Sequence, residues 1–296
     1  MALTEPHPGR TLSAVPHRAA PRRRRRRNFP LLVGGTLVSL IATLAVLAPL
    51  LAPFDPTAID PAGRLAPPGG AHPLGTDRLG RDLLSRVLYG GRVALVVGAV
   101  AVLIGAGIGV PLGLISGYRA GRLDAVLMRM VDGMMAFPAL LLAITVVAAL
   151  GPGHVQAMTA IGVVLIPIFA RLARAQTLAT RGQEFVLAAR TLGATEARIV
   201  LLHILPNIAG PLVIQSTVAF SGAVLAEASL SYLGLGTQPP TPSWGGMLQE
   251  ARDVLFVARW MAIWPGVAIA AAVLGLNLLG DGVRDMLDPR LRRGSG

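Results

Sequence analysis

The sequence predicts an all-α integral membrane protein with six transmembrane helices. Hydrophobic residues make up 53% of its 296 positions and charged residues only 14%, whereas about 25% of the residues in an average soluble domain are charged. Long uncharged intervals also recur along the chain, and a helix needs about 20 mostly apolar residues to cross the hydrocarbon core of a bilayer. Because a soluble fold could not bury this much apolar surface, we interpret these intervals as membrane spans.

Five uncharged intervals contain the predicted spans. They are residues 28–54, 93–118, 133–170, 199–226 and 260–280. The interval 133–170 is too long for one crossing, and the sequence GPGH at residues 151–154 divides it into two spans. The span within 199–226 is expected to begin after Pro206, because proline suits the first turn of a helix. The count is therefore six.

Arginine is distributed unevenly between the two sides of the predicted bundle. All 27 basic residues are arginines, and with the N-terminus inside, 20 of them fall on the cytoplasmic side and 7 outside. Basic residues concentrate in the cytoplasmic loops of membrane proteins. The distribution therefore predicts a multi-pass protein of the bacterial cytoplasmic (inner) membrane with both termini in the cytoplasm.

Composition divides the chain into four parts. Residues 1–28 form a predicted disordered, Arg-rich cytoplasmic tail, and residues 29–92 hold the first span and an external amphipathic segment, expected to form a helix along the membrane surface. Residues 93–282 form a five-helix core with a cytoplasmic loop at 171–207, and residues 283–296 form a cytoplasmic C-terminal tail. The arginine run of the first tail is interpreted as an anchor on the anionic leaflet of the lipid bilayer; a regulatory or nucleic-acid-binding role is the alternative.

Several chemistries are excluded by residues that the sequence lacks. It has no cysteine and no lysine, so it cannot supply the lysine of a phosphate-binding loop, and any ATP would be hydrolysed by another subunit. The five histidines are scattered without metal-ligand spacing, so neither a metal nor another cofactor is expected. Only 4% of the residues are aromatic, which does not suit a nucleic-acid surface. The sequence shows no nucleophile–base pair of the kind that an enzyme would need, so it does not indicate an enzyme.

Two acidic residues, Asp132 and Glu227, lie within the predicted bundle. Ionisable groups in spans are costly and usually face a partner or a water-filled path. Each carboxylate is therefore a candidate for the transport pathway or its gate, or else it lies near an interface and reaches water or an arginine. Pro138 is expected to kink its helix.

Four glycines in the second predicted span recur at four-residue steps. They are Gly105, Gly109, Gly113 and Gly117. Such a smooth stripe lets another helix approach closely. Packing within the bundle is the favoured interpretation, and a face that slides during gating is the alternative.

The segment from Gln183 to Asn207 is polar although it lies between two spans. Residues 183–191 and 195–203 are predicted to form two short helices, and Gly193 allows the change of direction between them. Ala188 and Ala189 would form a shallow patch that another surface could approach, with charge pairs around it. The segment is either a docking element for a soluble partner or an amphipathic helix on lipid headgroups.

This segment resembles a known signature. The sequence LAARTLGATEARIVLLHILPN is similar to the E-A-A-x-x-x-G loop of ABC importer permeases, which in that family forms a coupling helix in a groove of the ATPase subunit. Leu187 stands at the position of the signature's glutamate, and Glu184, one turn earlier, is the nearest acid able to substitute for it. The resemblance implies these coupling residues: Glu184, Ala188, Ala189, Arg190, Gly193, Ala194, Leu205 and Pro206.

The likeness extends over nearly the whole chain after the tail. HPLGTDRLGRDLLSRVLYGGR, MRMVDGMMAFPALLLAI and LAEASLSYLGLGTQPPTPSWGGML resemble segments of the second permease subunit in the dipeptide, oligopeptide and nickel branch of these importers. The resemblance implies a type I ABC importer (MetI-like) permease fold. It also implies a heterodimer with a second permease subunit, two cytoplasmic ABC ATPase subunits and an extracytoplasmic substrate-binding protein. The expected cargo is a peptide, and nickel or another small solute is the alternative cargo. An ion-coupled secondary transporter is the alternative class of protein.

Overall fold

The computed structural model of the protein describes residues 29–287, and every regular element within that range is helical. The predicted N-terminal tail and the last residues of the predicted C-terminal tail lie outside the described residues. The α-helices are α1 (Phe29–Val46), α2 (Ala48–Leu51), α3 (Leu83–Arg119), α4 (Gly121–Met135), α5 (Ala139–Leu150), α6 (His154–Thr180), α7 (Glu184–Thr191), α8 (Glu196–Arg198), α9 (Leu205–Tyr232), α10 (Trp244–Arg252) and α11 (Trp260–Leu287). A 3-10 turn (Pro61–Gly63) and a π-helical stretch (Ile199–Ile204) lie between them.

The long helices α1, α3, α6, α9 and α11 are apolar enough to cross a membrane. The pair α4 and α5 passes the same test when the two helices are taken together, but it is bent by 91° at its break. Counted as one span, this pair brings the number within the described chain to six, as the sequence predicts.

A close contact between α3 and α6 forms the centre of the bundle. The glycine stripe of α3 faces α6, and a Cβ atom at Gly113 would lie 2.3 Å from the carbonyl oxygen of Ala170. Cβ atoms at Gly105, Gly109 and Gly117 would lie 2.5, 2.5 and 2.8 Å from atoms of α6. Because these side chains are absent, the two backbones touch, which agrees with the packing interpretation of the stripe.

The first span, α1, packs along α11. Gly34 lies directly against the backbone of α11 at Leu279, and Gly282 of α11 lies against Leu31. Two close backbone contacts thus fasten α1 to the rest of the bundle, while most of its remaining surface is exposed.

The external amphipathic segment differs from its prediction. Its helical part is continuous with the second span, since α3 begins at Leu83 and not near residue 93. The side chain of Asp82 accepts a hydrogen bond from the Ser85 amide at 2.8 Å and caps the helix. Arg86, inside the new helical turns, binds Glu250 and does not need to lie in water. Residues 83–92 therefore form the first turns of α3 and not a separate helix.

The third predicted span is interrupted. Pro138 has an extended backbone (ψ 132°) just before α5, so it separates two helices and does not merely kink one. Proline also disfavours the helical conformation of the residue before it. α4 and α5 consequently meet at 91°.

Helix α6 and the segment after α7 also run further than predicted. α6 continues past Arg171 to Thr180, because acidic side chains of α4 neutralise its arginines. The predicted short helix at 195–203 is the start of a longer one, since α8 and the π-helical stretch lead directly into α9. Pro206 therefore lies within a continuous helix.

The bundle has two distinct ends. The α7 end carries α7, α8 and the C-terminus of α3. The α10 end carries α10, the 52–82 loop and the turn between α5 and α6, where the amide of Gly153 meets the carbonyl of Leu235. These two names are used below.

Candidate functional site

Helix α7 lies at one end of the bundle, in the connection between α6 and α9. Glu184 occupies its first turn and Arg190 its last turn. Both charges complement the helix dipole, which favours acids at the N-terminus and bases at the C-terminus. These two charges therefore stabilise the short helix at the place where the sequence predicts it.

One face of α7 packs against the protein. Val186 is fully buried and Ala189 is 9% exposed. Both join a hydrophobic cluster with Leu114 of α3 and with Ile199 and Ile204 of the π-helical stretch. This corrects the picture of a shallow patch made of two alanines, because Ala189 faces inward. The spacing of Val186 and Ala189, three residues apart on a helix, is the signal that could have shown it.

The opposite face of α7 is open and apolar. We define the outer face of α7 as Phe185, Leu187, Ala188 and Leu192, all of which are exposed. Leu192 is 87% exposed and follows the last helical residue directly. The outer face therefore presents three large apolar side chains around one small alanine.

Gly193 turns the chain after α7. Its φ is +80°, in the left-handed region that favours glycine. The amide of Gly193 bonds to the carbonyl of Arg190, and the amide of Ala194 bonds to that of Ala189. Thr195 then caps α8, since its hydroxyl accepts from the amide of Arg198 at 3.4 Å. The predicted change of direction at Gly193 is confirmed.

The charge pairs expected around α7 are different from those observed. Arg190 donates to the hydroxyl of Tyr118 at 3.3 Å and stacks over its ring. Glu196 of α8 pairs with Arg119 at 3.7 Å. Glu184 makes no ion pair with any described residue. The sequence did not indicate Tyr118 as a partner, because 72 residues separate it from Arg190.

Two further predicted residues, Leu205 and Pro206, open α9. Leu205 is half-buried and packs against the hydrophobic cluster beneath α7. Pro206 is exposed beside it. The structure thus brings all eight predicted coupling residues to the α7 end, in the segment that joins α6 to α9. Some of them, such as Ala189, face the protein, and others, such as Ala188 and Pro206, are exposed.

The two acidic candidates have different surroundings. Asp132 ends up beside the break between α4 and α5 and pairs with Arg171 at 2.5 Å, with both side chains about half exposed. Glu227 is 1% exposed. It accepts hydrogen bonds from Ser231 at 2.7 Å and Thr237 at 3.2 Å, and so holds the loop after α9. Asp132 therefore reaches an arginine, whereas Glu227 is tied to hydroxyl groups.

A buried ionic cluster at the α10 end was not foreseen. Arg81 bonds to Asp77 at 2.6 Å and to Glu250 at 2.7 Å, and Arg86 bonds to Glu250 at 3.1 Å. Asp77 is fully buried. This cluster fastens the 52–82 loop to α10. The alternating charges of TDRLGRDLLSR were a usable signal, but their acidic partner Glu250 is remote in sequence.

The SWGG sequence near residue 245 is a packing motif. Trp244 covers Gly90 of α3 and donates to the carbonyl of Val87 at 2.9 Å. A Cβ atom at Gly245 would lie 2.2 Å from the carbonyl oxygen of Ala228. α10 is therefore pressed against α3 and α9 by close contacts on both sides.

An open groove of about 520 Å³ lies between α5, α9, α10 and α11. Its polar side chains are Ser229 and Tyr232, and none of its lining residues is charged. In addition, no group of three or more histidine, aspartate or glutamate side chains within 29–287 could hold a metal ion. Its mostly apolar, uncharged lining suits either a contact surface for another helix or part of a passage between helices.

Comparisons with known proteins agree with this architecture. Residues 109–293 match the family described as the binding-protein-dependent transport system inner membrane component. Residues 20–68 match the N-terminal TM domain of oligopeptide transport permease C.

Three curated relatives are similar over nearly their whole length. The dipeptide transport system permease protein DppC of Haemophilus influenzae is 43% identical over 274 residues, which cover 90% of this chain and 93% of the relative. The di/tripeptide transport system permease protein DppC of Pseudomonas aeruginosa is 44% identical, with 88% of each chain covered. The glutathione transport system permease protein GsiD of Pectobacterium atrosepticum is 43% identical, with 91% of this chain and 90% of the relative covered.

A solved structure supports the fold. A chain of the inward-facing MetNI methionine ABC transporter superposes with a TM-score of 0.57 at 20% identity, covering 68% of this chain and 96% of its own length. The MetI-like fold expected from the sequence is confirmed, as is the expectation of a permease in place of an enzyme. On these grounds the chain belongs to the family of binding-protein-dependent transport system inner membrane components.

Proposed function

We propose that this protein is one permease subunit of an ATP-driven importer and carries peptides across the inner membrane. The main observation behind this proposal is the 43% identity with a protein named as a dipeptide permease, over 90% of this chain and 93% of that relative. Other relatives of similar identity are named for di/tripeptides and for glutathione, itself a peptide. The apolar spans suit a pathway whose cargo is selected elsewhere, by a soluble binding protein outside the cell.

The cargo is tested by uptake. Cells that express the complete transporter are expected to accumulate a labelled dipeptide, and unlabelled peptides should compete with it. Uptake of nickel ions that peptides do not inhibit would contradict the peptide assignment and leave the permease assignment standing.

In the proposed assembly, the outer face of α7 docks on a cytoplasmic ABC ATPase. Phe185, Leu187 and Leu192 supply apolar surface that the chain itself leaves open. Leu187 replaces the acidic residue of the family signature, so the contact at that position is apolar and not a salt bridge. Burial of apolar side chains favours such a contact, because it removes apolar surface from water.

A pair of cysteine variants tests this docking. The chain has no native cysteine, so each variant carries a single thiol. Ala188→Cys, on the exposed face, is expected to crosslink to the ATPase. Ala189→Cys, one position along but facing the Leu114 cluster, is the matched control and should not. Crosslinks from Ala188→Cys to lipid alone, or peptide uptake that persists without any ATPase, would favour the surface-helix or secondary-transporter alternatives.

The α7 end is proposed to face the cytoplasm, with both chain termini on the same side. The arginine distribution supports this orientation. A membrane-impermeant thiol reagent should label Phe256→Cys at the α10 end of intact cells, because that side chain is 93% exposed. It should label Ala188→Cys only after the membrane is opened. The reverse pattern would invert the topology.

A second permease subunit and an extracytoplasmic binding protein complete the proposed assembly. The open groove between α5, α9 and α11 is a candidate contact for the second permease. Co-purification should recover a heterodimer, and a transporter that forms from this chain alone would contradict it.

Asp132 and Glu227 enter the proposal as gating residues, since the first adjoins the α4–α5 break and the second holds the loop after α9.

A further inference from the structure

The corner between α3 and α4 receives side chains from three other helices and one turn. We define the α3–α4 corner as residues 116–124. The chain turns there at Ala120 and Gly121, whose φ angles are +54° and +68°. Side chains from α6, from the turn after α6, from α7 and from α8 all bind this short stretch. This concentration of contacts lies beside the last turn of α7.

The contact from α7 is made by Arg190. Its guanidinium carbon lies 5.9 Å from the centroid of the Tyr118 ring, and its Nη2 donates to the Tyr118 hydroxyl at 3.3 Å. A guanidinium over an aromatic ring is attracted by the ring's quadrupole. Tyr118 therefore holds the last turn of α7 from the side of α3.

The contact from the turn before α7 is made by Arg181. Its Nη1 donates to the carbonyl oxygens of Gly117 at 3.0 Å and Tyr118 at 3.2 Å. These are among the last carbonyls of α3, which lack partners within the helix and carry its negative dipole end. Both ends of the α7 segment are thus bound to the same terminal turn of α3.

Within the corner, the first turn of α4 is bound both to α6 and to the end of α3. Asp124 accepts two hydrogen bonds from Arg174 of α6, both at 2.6 Å, and a third from the hydroxyl of Ser116. Paired arginine–carboxylate bonds of this kind fix orientation as well as distance. α4 then leads to the 91° bend before α5.

We propose that Tyr118 is a positioning residue that transmits displacement of α7 to the α3–α4 corner, and through it to the bent α4–α5 pair. The proposal rests on the proposed docking of α7 on an ATPase. Tyr118 is not part of the outer face of α7 and does not line the open groove. Its side chain meets Arg190 and packs against the hydrophobic cluster beneath α7, and its carbonyl meets Arg181. Its loss should therefore separate ATP hydrolysis from transport without loosening the assembly.

The test uses the complete transporter in proteoliposomes. Three quantities are measured: the ATPase that co-purifies, the rate of ATP hydrolysis, and peptide uptake per ATP. Tyr118→Met removes ring and hydroxyl but keeps an apolar side chain, whereas Tyr118→Phe keeps the ring. Tyr89→Met is the matched control, because Arg92 lies 5.7 Å from the Tyr89 ring in the same helix at its other end.

Tyr118→Met is expected to lower uptake per ATP about fivefold, at the lower end of the range for coupling between sites, with ATPase co-purification unchanged. Tyr118→Phe and Tyr89→Met should stay close to the unsubstituted protein. An unchanged ratio in Tyr118→Met, or an equal fall in Tyr89→Met, would overturn the proposal.

A second variant keeps the test decisive if Tyr118→Met does not accumulate in the membrane. Arg190→Gln should then reproduce the fall in uptake per ATP with the ATPase still bound. If it instead releases the ATPase, Arg190 acts by docking, and the role of Tyr118 is overturned. Failure of the unsubstituted chain to co-purify any ATPase is a separate result, which refutes the proposed function itself.

Discussion

The indole nitrogen of Trp244 donates a hydrogen bond to the carbonyl oxygen of Val87, 2.9 Å away. The ring of Trp244 also fills the space that a side chain at Gly90 would need. One aromatic residue thereby joins α10 to the start of α3, across 157 positions of sequence.

Trp244→Ala is expected to destabilise the protein by about 3–5 kcal/mol, the usual cost of removing a buried aromatic side chain. The measurement is thermal unfolding of the purified protein in detergent. Phe256→Ala is the control at the same end of the bundle, because Phe256 is 93% exposed. A similar loss of stability in both variants would show that Trp244 has no special packing role.

Gly113→Ala is expected to force α3 and α6 apart. The added Cβ atom would lie 2.3 Å from the carbonyl oxygen of Ala170, and overpacking of this kind costs about 1–3 kcal/mol. Gly107→Ala in the same helix meets no atom within 4 Å and serves as the control. Yield and melting temperature should fall only for Gly113→Ala; equal values would contradict the close contact.

Gly193→Val is expected to abolish substrate-stimulated ATP hydrolysis while membrane insertion continues. Nothing lies within 4 Å of a Cβ atom there, so the effect comes from the φ of +80° and not from a clash. The left-handed conformation costs a side-chain-bearing residue about 1–2 kcal/mol.

Two variants control for this substitution. Gly193→Asn should retain coupling, because asparagine tolerates the left-handed conformation. Gly182→Val, on the other side of α7 and equally free of neighbours, should also retain it. Full peptide uptake by Gly193→Val would exclude any role of this turn in coupling.

Asp77→Asn is expected to cost about 3–5 kcal/mol, because it removes one of the two acids that neutralise the buried Arg81 and Arg86 and leaves one buried positive charge in excess. Arg81, bonded to Asp77 at 2.6 Å, would keep Glu250 as its remaining acidic partner. Asp253→Asn breaks the exposed pair with Arg78 and should cost no more than about 1 kcal/mol. Denaturation curves of the two variants that coincide would argue against a buried cluster.

The sequence predicted those parts of the fold that depend on local pattern. α1, α9 and α11 follow uncharged intervals, and the turn at Gly193 follows from a residue type that tolerates positive φ. Hydropathy predicted both α3 and α6 too short: α3 begins about ten residues before its uncharged interval, and α6 ends about ten residues after its own. Arg86 and Arg174 lie inside those helices because Glu250 and Asp124, 164 and 50 residues away, neutralise them. Local pattern contains no information on such partners.

The candidate site shows the same division. The position of α7 and its polar ends could be predicted from residue types near Gln183. The spacing of Val186 and Ala189 indicates that both share one face of the helix, but their partner Leu114 is brought there only by folding. Tyr118 was missed because its role depends on a helix end brought to α7 by the contact between α3 and α6.

The two ends of the bundle are fastened with unequal strength. At the α10 end the ion pairs of Arg81 and Arg86 are buried and only Arg78–Asp253 is exposed. Near the α7 end Arg174–Asp124 is partly buried, whereas the pairs of Arg119 and Arg171 are about half exposed or more. Exposed pairs break at little cost in water. We therefore expect larger thermal fluctuations of the backbone around α7 than around α10.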